Sequence, residues 1–532
     1  MVMPSSLGSQ VQDESGPHQS IARLSAARTA FVGRTLRGPV DRPVRVRSFS
    51  EFSQVFGGLW QPSLLGYAVE QYFDNGGREA LIVRVVNGAR AATLCLPTGA
   101  HNLILRALRP GTREFLRACV DYDNIPNDEA DLFNLTVQRV RTQGTMRVED
   151  QETYRALSVR ADADLYIGKA LAQSELVRLL GLAPESRPQR TLDPATGLAS
   201  GYVYSNSDGD DGGPLTDYDL IGSPDEGTGL FALDAADHFN FLVIPPISRE
   251  RDLGLSTLLV AARYCKLRQA LLVVDPPKEW HTAEEALRGA REWGFASEDA
   301  FMYFPRILAL DKLRGRFETF APCGAVAGML SRTDLLAPQW AAAECEEPVL
   351  RPGYRPSCLV PEIARERLAS LGINVIHAVR SPLRSAYSPR TLAMGSAGAS
   401  DWKYLASRRF ALLVVRSLES GTRWVSAPQS GEDSRAIVEL QARAFLEGLR
   451  EQGAFGARSA EEAYFVVASS AQPFELIVGF AAARCGEYHT YRITQSPQGG
   501  EIRAVTVNRL KFQQYSPGDI EWVDRLADQL RP

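Results

Sequence analysis

Residues 43–86 read PVRVRSFSEFSQVFGGLWQPSLLGYAVEQYFDNGGREALIVRVV, and this stretch decides the fold class. Val44 and Val46 alternate with Arg45 and Arg47, the period-2 pattern of an edge strand. Ser48 followed three residues later by Glu51 is a capping box, so a short helix starts there with Phe49, Phe52, Val55 and Phe56 on its apolar side. Gly57-Gly58 stops it, because glycine enters the left-handed conformation that ends a helix. Ser63 caps a second helix, on which Leu65, Ala68, Val69, Tyr72 and Phe73 share one face. Asn75-Gly76-Gly77 ends that helix, and Ala80 to Val86 is an apolar strand broken only by Arg84. Strand, helix, helix, strand with short connections is an α/β unit.

Downstream the pattern changes twice. Residues 88–190 hold short apolar or alternating runs (Ala91–Leu96, Leu103–Leu108, Phe115–Asp121, Phe133–Val140, Tyr154–Val159, Ser174–Leu180) and read as a β-rich subdomain. Arg190 to Asp219 reads as a loop around SNSDGDDGGP. Asp208-x-Asp210 invites a calcium-loop reading, but the glycine spacing and the missing terminal glutamate do not fit the twelve-residue loop, so an acidic turn is expected. From Thr228, buried strands at Phe239–Pro245, Ala270–Asp275 and Ala300–Ile307 alternate with helices at Leu255–Leu267 and Thr282–Trp293, the latter opened by a Thr282/Glu285 box. Near-continuous apolar strands between helices imply a parallel sheet covered on both faces. Ala321–Leu330 (APCGAVAGML) reads as a small-residue helix packed tightly on that sheet. Helices follow at Val360–Leu371, Trp402–Leu418 and Arg435–Arg450, the last with Ile437, Leu440, Ala444, Phe445 and Leu449 inward. Ala463–Ala468 is a strand, Phe474–Ala482 and Tyr488–Thr494 pair as a hairpin, Val505–Phe512 adds a strand, and Asp519–Leu530 is a short helix.

Composition narrows the function. The chain has 532 residues, 45% hydrophobic and 23% charged, and a formal net charge of -4, so no global basic surface recommends nucleic acid. No apolar run approaches the ~20 residues of a membrane span, and no signal-peptide pattern opens the chain. Cys95, Cys119, Cys265, Cys323, Cys345, Cys358 and Cys485 are odd in number and lack C-x-x-C spacing, which reads as free thiols in a reducing, cytoplasmic setting at synthesis. His18, His101, His238, His281, His377 and His489 fit no metal spacing, so no metal or cofactor is expected. Ser396 lacks the leading glycine of a nucleophile elbow, and no P-loop occurs. Asp275, at a strand end, is where a doubly wound enzyme would put a catalytic acid, but a turn or helix-cap role is the simpler reading. Glu439, Arg443, Glu447 and Arg450 form an i,i+4-type charged face on their helix.

One composite pattern is specific. Ala30-Phe31-Val32-Gly33-Arg34-Thr35 with Arg37-Gly38-Pro39, then FGG, an aromatic helix ending in NGG and a strand ending V-R-V, resembles the N-terminal part of the contractile tail sheath family. These proteins build the outer sheath of contractile phage tails, R-type pyocins and extracellular contractile injection systems. Ala321 to Asp334, Leu371-Gly-Ile-Asn374, Arg390-Thr391-Leu392 with Trp402, Tyr404, Arg408 and Arg409, then Trp424, Phe445-Leu446, Leu449 and Gly453-Ala454 follow in the family's order, so the resemblance runs from Ala30 to Thr494.

The resemblance implies an α/β multidomain sheath protein with a mostly parallel α/β core, a β-rich inserted subdomain and flexible terminal arms. Its divisions fall at 1–28 (N-terminal arm), 29–87 (N-terminal α/β part of the body), 88–190 (β-rich subdomain), 191–370 (α/β core, likened to subtilisin), 371–495 (C-terminal domain with a tube-facing helix and an arm hairpin) and 496–532 (C-terminal extension). Asp217–Gly222 is similar to a strand of the family. The implied role is structural: no enzyme, with helical polymerisation around an inner tube and contraction that drives the tube through a target envelope. Implied partners are other copies of the chain, the inner tube, baseplate and terminal cap proteins, with neither nucleic acid nor membrane. The implied place is the cytoplasm at synthesis and then a virion or tail-like particle. Arg443, Glu447 and Arg450 are the tube-contact candidates, the alternative being a solvated face. Phe474, Leu476, Val478, Tyr488, Tyr491 and Ile493 are the inter-subunit strand candidates, and Arg408 and Arg409 are expected in structural ion pairs. The family's proline-glycine-valine-tyrosine arm opening is absent before Ala30, so a disordered tail stands beside strand exchange for that segment. Two other functions stand beside the sheath subunit. One is a cytoplasmic α/β hydrolase-like enzyme with a site near Pro245, Asp275 and Pro305; the other is a sheath-like cap or baseplate-adjacent ring protein.

Overall fold

The structure, a computed structural model, describes residues 20–25, 28–99, 101–141, 146–192, 201–206, 208–336, 338, 340, 349–376, 388–393, 401–426, 434–456, 459–468, 473–482, 488–497 and 499–505. The expected helix at 519–530, most of the strand expected at 505–512, and Ser396 lie outside these residues, as does most of both terminal arms.

The opening stretch folds as β1 (Arg28–Gly33), β2 (Val44–Val46), α1 (Phe49–Phe56), α2 (Leu65–Asp74) and β3 (Glu79–Arg84). Ser48 Oγ accepts from Glu51 N at 3.1 Å, while the Glu51 carboxylate turns back to Arg47 N at 2.7 Å, one residue before the cap. Gly57 ends α1 at φ +93°. Helix α2 differs from its amphipathic reading, since Leu65 through Tyr72 are all buried. Glu70 on it meets Lys312 at 2.7 Å, and Tyr67 donates to Asp311 at 3.1 Å. The arginine that interrupts β3 is also buried. Arg84, 1% exposed, donates to Gly38 O at 2.7 Å and Pro110 O at 3.0 Å, and burial lowers its pKa to about 10.

The insertion comprises β4 (Thr93–Leu96), β5 (Leu103–Ala107), β6 (Leu116–Asp121), β7 (Leu132–Arg141), β8 (Arg147–Ser158), α3 (Ile167–Ala172), β9 (Val177–Leu179) and β10 (Val203–Tyr204). Two antiparallel sheets, ordered β4-β5-β9 and β10-β6-β7-β8, share a core that includes Leu94, Leu105, Val120, Phe133 and Leu135. The unit therefore runs past the boundary expected at 190. The acidic turn closes it: Asp208 accepts from Thr93 N and Oγ1 at 3.0 and 2.8 Å, and Asp211 from Thr112 N and Oγ1 at 2.8 and 2.7 Å.

The core continues with α4 (Asp217–Ile221), β11 (Phe241–Val243), α5 (Leu255–Leu267), β12 (Leu271–Val274), α6 (Ala283–Glu292), β13 (Ala300–Phe304), β14 (Ile307–Asp311), β15 (Arg316–Phe320), α7 (Cys323–Leu336), β16 (Arg355–Pro356), α8 (Glu362–Ser370) and β17 (Ile373–Val375). Seven strands form one sheet in the order β17-β13-β12-β11-β1-β3-β2, parallel throughout except at β2. This joins segments that the sequence had separated. Strands from 29–87, from 191–370 and from the start of 371–495 lie in one sheet, because pairing follows edges and not chain order. One face carries Phe52, Phe56 and Tyr72 of α1 and α2 with Ala325 and Val326 of α7. The other carries Leu258 and Cys265 of α5, Ala286 of α6 and Leu368 of α8. The strand expected at Asp217–Gly222 is the helix α4. Thr216 and Asp219 form a reciprocal capping box, and the Asp217 carboxylate accepts from Gly254 N at 2.7 Å and Thr257 Oγ1 at 2.6 Å.

Helix α7 packs against α2 more closely than against the sheet. A Cβ on Gly324 would stand 2.0 Å from Ala68 O, and one on Gly328 2.2 Å from Tyr72 O, so the two backbones touch.

The C-terminal unit consists of α9 (Leu405–Gly421), α10 (Ser434–Glu451), α11 (Ala460–Ala463), β18 (Tyr464–Ala468), β19 (Phe474–Phe480), β20 (His489–Ser496) and β21 (Gly499–Val505). Its antiparallel sheet, ordered β18-β19-β20-β21, packs on both long helices around Phe410, Val414, Leu446, Leu476 and Ile493. Ile21, assigned from sequence to a flexible arm, is buried in this core beside Gly421, and Leu24 N donates to Ser417 Oγ at 3.1 Å. Two arginines near the start of α9 take the structural roles expected of them: the buried Arg408 pairs with Asp299 at 2.5 Å, and the partly buried Arg409 pairs with Asp334.

Candidate functional site

The expected contact residues all lie on the C-terminal unit. On α10 the buried positions are Val438, Ala442, Leu446 and Leu449. Of the stripe expected inward, Leu449 is buried and Phe445 packs at the core's margin, whereas Leu440 is 70% exposed and Ile437 and Ala444 line a groove with Ile21. Helix α10 is apolar on two sides, so periodicity located a face without saying which one the core would take.

Arg443, Glu447 and Arg450 sit beside β18. Arg443 Nη2 donates to Glu439 at 2.8 Å and to Val466 O at 2.9 Å. That second bond covers a carbonyl on the outer edge of the sheet, a device that blunts strand addition there. Arg450 Nη2 donates to Glu447 at 2.6 Å, and Tyr464 Oη donates to the same carboxylate at 2.9 Å. These bonds, the arginine's first, hold the Glu447 carboxyl below its usual pKa. Burial, then the Glu447 carboxylate, pushes Tyr464 up to about 12. The three candidates thus sit in two separate intrachain ion pairs, Arg443 with Glu439 and Arg450 with Glu447, with their charged ends partly exposed.

The hairpin candidates occupy the interior of their sheet. Strand β19 pairs with β18 and β20, and β20 with β19 and β21. Leu476, Val478, Tyr491 and Ile493 point into the core, Phe474 packs at its margin, and Tyr488 packs edge-on to Phe465 and donates to Glu461 O. With both neighbours present, the hairpin's backbone groups are already bonded. Among the described residues β21, whose residues are mostly exposed, has no strand paired on its outer edge. No local signal marks this strand, since Gly499–Val505 has neither a long apolar run nor a clean alternation.

The enzyme alternative centres on Asp275. Its Oδ1 accepts from Cys323 N at 2.8 Å, so it caps α7, and its Oδ2 is buried with no hydrogen-bond partner. Burial pushes its pKa up to about 6. Among the described residues no group of three His, Cys, Asp or Glu is placed to hold a metal ion, and no helix is long and apolar enough to cross a membrane. The raised pKa fixes a sign. The folded chain holds this proton up to about pH 6, whereas the unfolded chain loses it near the ordinary carboxylate value, so this contribution to stability is present in acid and is lost as pH rises through 6. Asp275→Asn keeps the cap acceptor and removes the charge. The variant should be more stable than the parent by about 2 kcal/mol at pH 8, with the gap closing toward pH 4, in chemical denaturation series. A gap independent of pH would refute the assignment.

No protein-family model and no curated protein matches the sequence. Solved structures do match the fold. The sheath tail protein of Listeria innocua superposes with a TM-score of 0.58 at 13% identity, over 89% of this chain and 96% of that one. The sheath tail protein of Desulfitobacterium hafniense gives 0.49 at 12% identity, over 89% and 97%. The sheath of an extracellular contractile injection system in its contracted state gives 0.49 at 15% identity, over 94% and 99%. On the strength of the Listeria innocua superposition, the chain has the fold of a sheath tail protein.

Proposed function

We propose that this chain is the structural subunit of a contractile tail sheath, which polymerises helically around an inner tube and contracts to drive that tube through a target envelope. The observation that carries the reading is the fold shared with the Listeria innocua sheath tail protein over nearly the whole of both chains. The rest of the architecture is consistent with it. The seven-stranded sheet with helices on both faces is a body that can move as a block. Among the described residues the outer edge of β21 carries no paired strand, and an extended segment of a neighbouring copy can add to such an edge through backbone hydrogen bonds. A terminal segment of that copy supplies the added strand, so neighbours stay linked while bodies rotate. In this reading β19 and β20 are the platform of the exchanged sheet. Helix α10 faces the tube through Arg443, Glu447 and Arg450. Baseplate and terminal cap proteins bound the assembly, which is made in the cytoplasm and works in a virion or released particle.

The test is negative-stain microscopy of the full chain expressed with its genomic neighbours. Striated tubes are the expected result, and soluble monomers under every condition would sink the proposal. An Arg443→Glu, Arg450→Glu variant should keep the parent's circular dichroism spectrum and fail to coat the tube. Normal coating by that variant would remove α10 from the tube contact.

A further inference from the structure

Between the core and the C-terminal unit lies a cleft of 2370 Å³, bordered by Arg28, His238 and Arg268 on one side and by Arg416 of α9 and Arg423 just after it on the other. We infer that this cleft is an oxyanion site, in which the Arg416 guanidinium and the His238 Nε2–H hold a carboxylate- or phosphate-class group. The inference stands on the isolated chain and is independent of the sheath reading.

Arg416 is 8% exposed. It donates to one neutral acceptor, Phe239 O, at 2.5 Å, and among the described residues no carboxylate lies within ion-pair distance of it. The acid one turn along, Glu419, is committed to Arg423 at 2.8 Å. Arg408 on the same helix makes the contrast: it is equally buried and has its own carboxylate, Asp299. Breaking or omitting one partner of a buried pair leaves an uncompensated charge, an expensive state that proteins rarely keep without a counter-ion. Burial, followed by the charge of Arg268, lowers the Arg416 pKa to about 9, with Glu419 offsetting part of the shift and Arg28 and Arg423 adding to it.

His238 supplies the second donor. Arg28 Nη1 stands 3.4 Å from His238 Nδ1. A guanidinium only donates, so Nδ1 accepts and the ring proton sits on Nε2. That Nε2 is buried and has no hydrogen-bond partner. The ring stays neutral, its pKa pushed down to about 3 by burial and then by Arg416 and Arg28. A neutral N–H without an acceptor and a guanidinium without an anion thus line one cleft. The walls as a whole carry nine Arg and Lys side chains against five Asp and Glu. Four of those five are already paired, Asp234 with Arg268, Glu298 with Lys266, Glu419 with Arg423 and Glu501 with Arg503. The chemistry missing from this set is an acceptor with negative charge, either a free oxyanion or an acidic side chain of a second copy of this chain.

The experiment uses the full chain, with thermal unfolding followed in sodium phosphate and in sodium chloride at matched ionic strength. Phosphate should raise the parent's melting temperature saturably. Arg416→Met should melt higher than the parent in chloride, because the unpaired charge is gone, and should show no phosphate-specific rise. His238→Leu, which keeps Arg416, should need roughly tenfold more phosphate for the same rise, the loss expected for one hydrogen bond to a charged group. If a second copy supplies the carboxylate, sedimentation velocity will show self-association that phosphate dissociates and that Arg416→Met weakens, which supports the site and identifies its occupant. A parent indifferent to phosphate in both assays, or variants that respond to phosphate as the parent does, would overturn the inference.

Discussion

Gly324→Ala and Gly328→Ala should each destabilise the chain by about 3 kcal/mol, the upper range for overpacking a close contact. Helix propensity points the other way, favouring alanine over glycine by about 1 kcal/mol in a helix interior. The contact decides the sign. At both positions the added Cβ would meet a backbone carbonyl of α2, at 2.0 Å for Gly324 and 2.2 Å for Gly328. A flexible side chain could turn aside, but a helix backbone can yield only by moving the whole of α2 away from α7. Helix α2 is itself buried along its length, so that movement disturbs its contacts with the sheet as well. Gly448 of α10 provides the control, since nothing lies within 4 Å of the Cβ built there. Gly448→Ala should therefore gain about 1 kcal/mol, the propensity term by itself. Chemical denaturation of the three variants checks all of this. Stabilisation at Gly324 and Gly328 equal to that at Gly448 would show that the α2–α7 backbone contact does not exist.

Arg408→Met should cost about 4 kcal/mol, the range for removing one partner of a buried ion pair. The arginine is 4% and Asp299 2% exposed, and their shortest contact is 2.5 Å. The same guanidinium lies 3.3 Å from the Tyr491 hydroxyl and stacks 5.0 Å from the Trp402 ring centre. Truncation leaves the Asp299 carboxylate sealed without a counter-charge, and that penalty exceeds any hydrophobic gain from methionine. The double variant Arg408→Met, Asp299→Leu should recover most of the loss, because a buried pair replaced by apolar groups of similar size is close to neutral. The coupling between the two sites should reach about 3 kcal/mol in a double-mutant cycle. Additive single effects would mean that the two charges do not meet. Asp299 immediately precedes β13 and Arg408 opens α9, so this pair links the C-terminal unit to the parallel sheet. Loss of that link is also expected to loosen the body that the proposed contraction moves as one piece.

Much of the local structure was legible because short-range chemistry fixes it. The Thr282/Glu285 capping box formed as read, and so did the helix stop at Gly57 and the strands centred on Phe241–Val243, Leu271–Val274 and Ala300–Phe304. The pairing of Phe474–Phe480 with His489–Ser496 was also anticipated, since two alternating runs across a short connection have few other partners. Misreadings arose where a local signal was compatible with two outcomes. Asp217-Tyr218-Asp219 resembled a strand until Thr216 and Asp219 were seen to cap each other. Helix α10 offered two apolar stripes, and the sheet beneath it selected Val438, Ala442 and Leu446.

The sequence by itself determined the α/β class, the position of the β-rich insertion, the two arginines destined for structural pairs and the small-residue face of α7. Those features are set by periodicity, capping and side-chain size within a few residues. Tertiary structure decided which partners those features met. Ala68 and Tyr72 lie under the α7 glycines, the N-terminal strands complete one side of the core sheet, and, among the described residues, the arm hairpin lies inside its own sheet with β21 at the edge and Arg416 is buried with no carboxylate at ion-pair distance. A residue's type states what contact it can make. Which contact it does make depends on groups hundreds of residues away, brought together only when the whole chain has paired its strands and closed its cores.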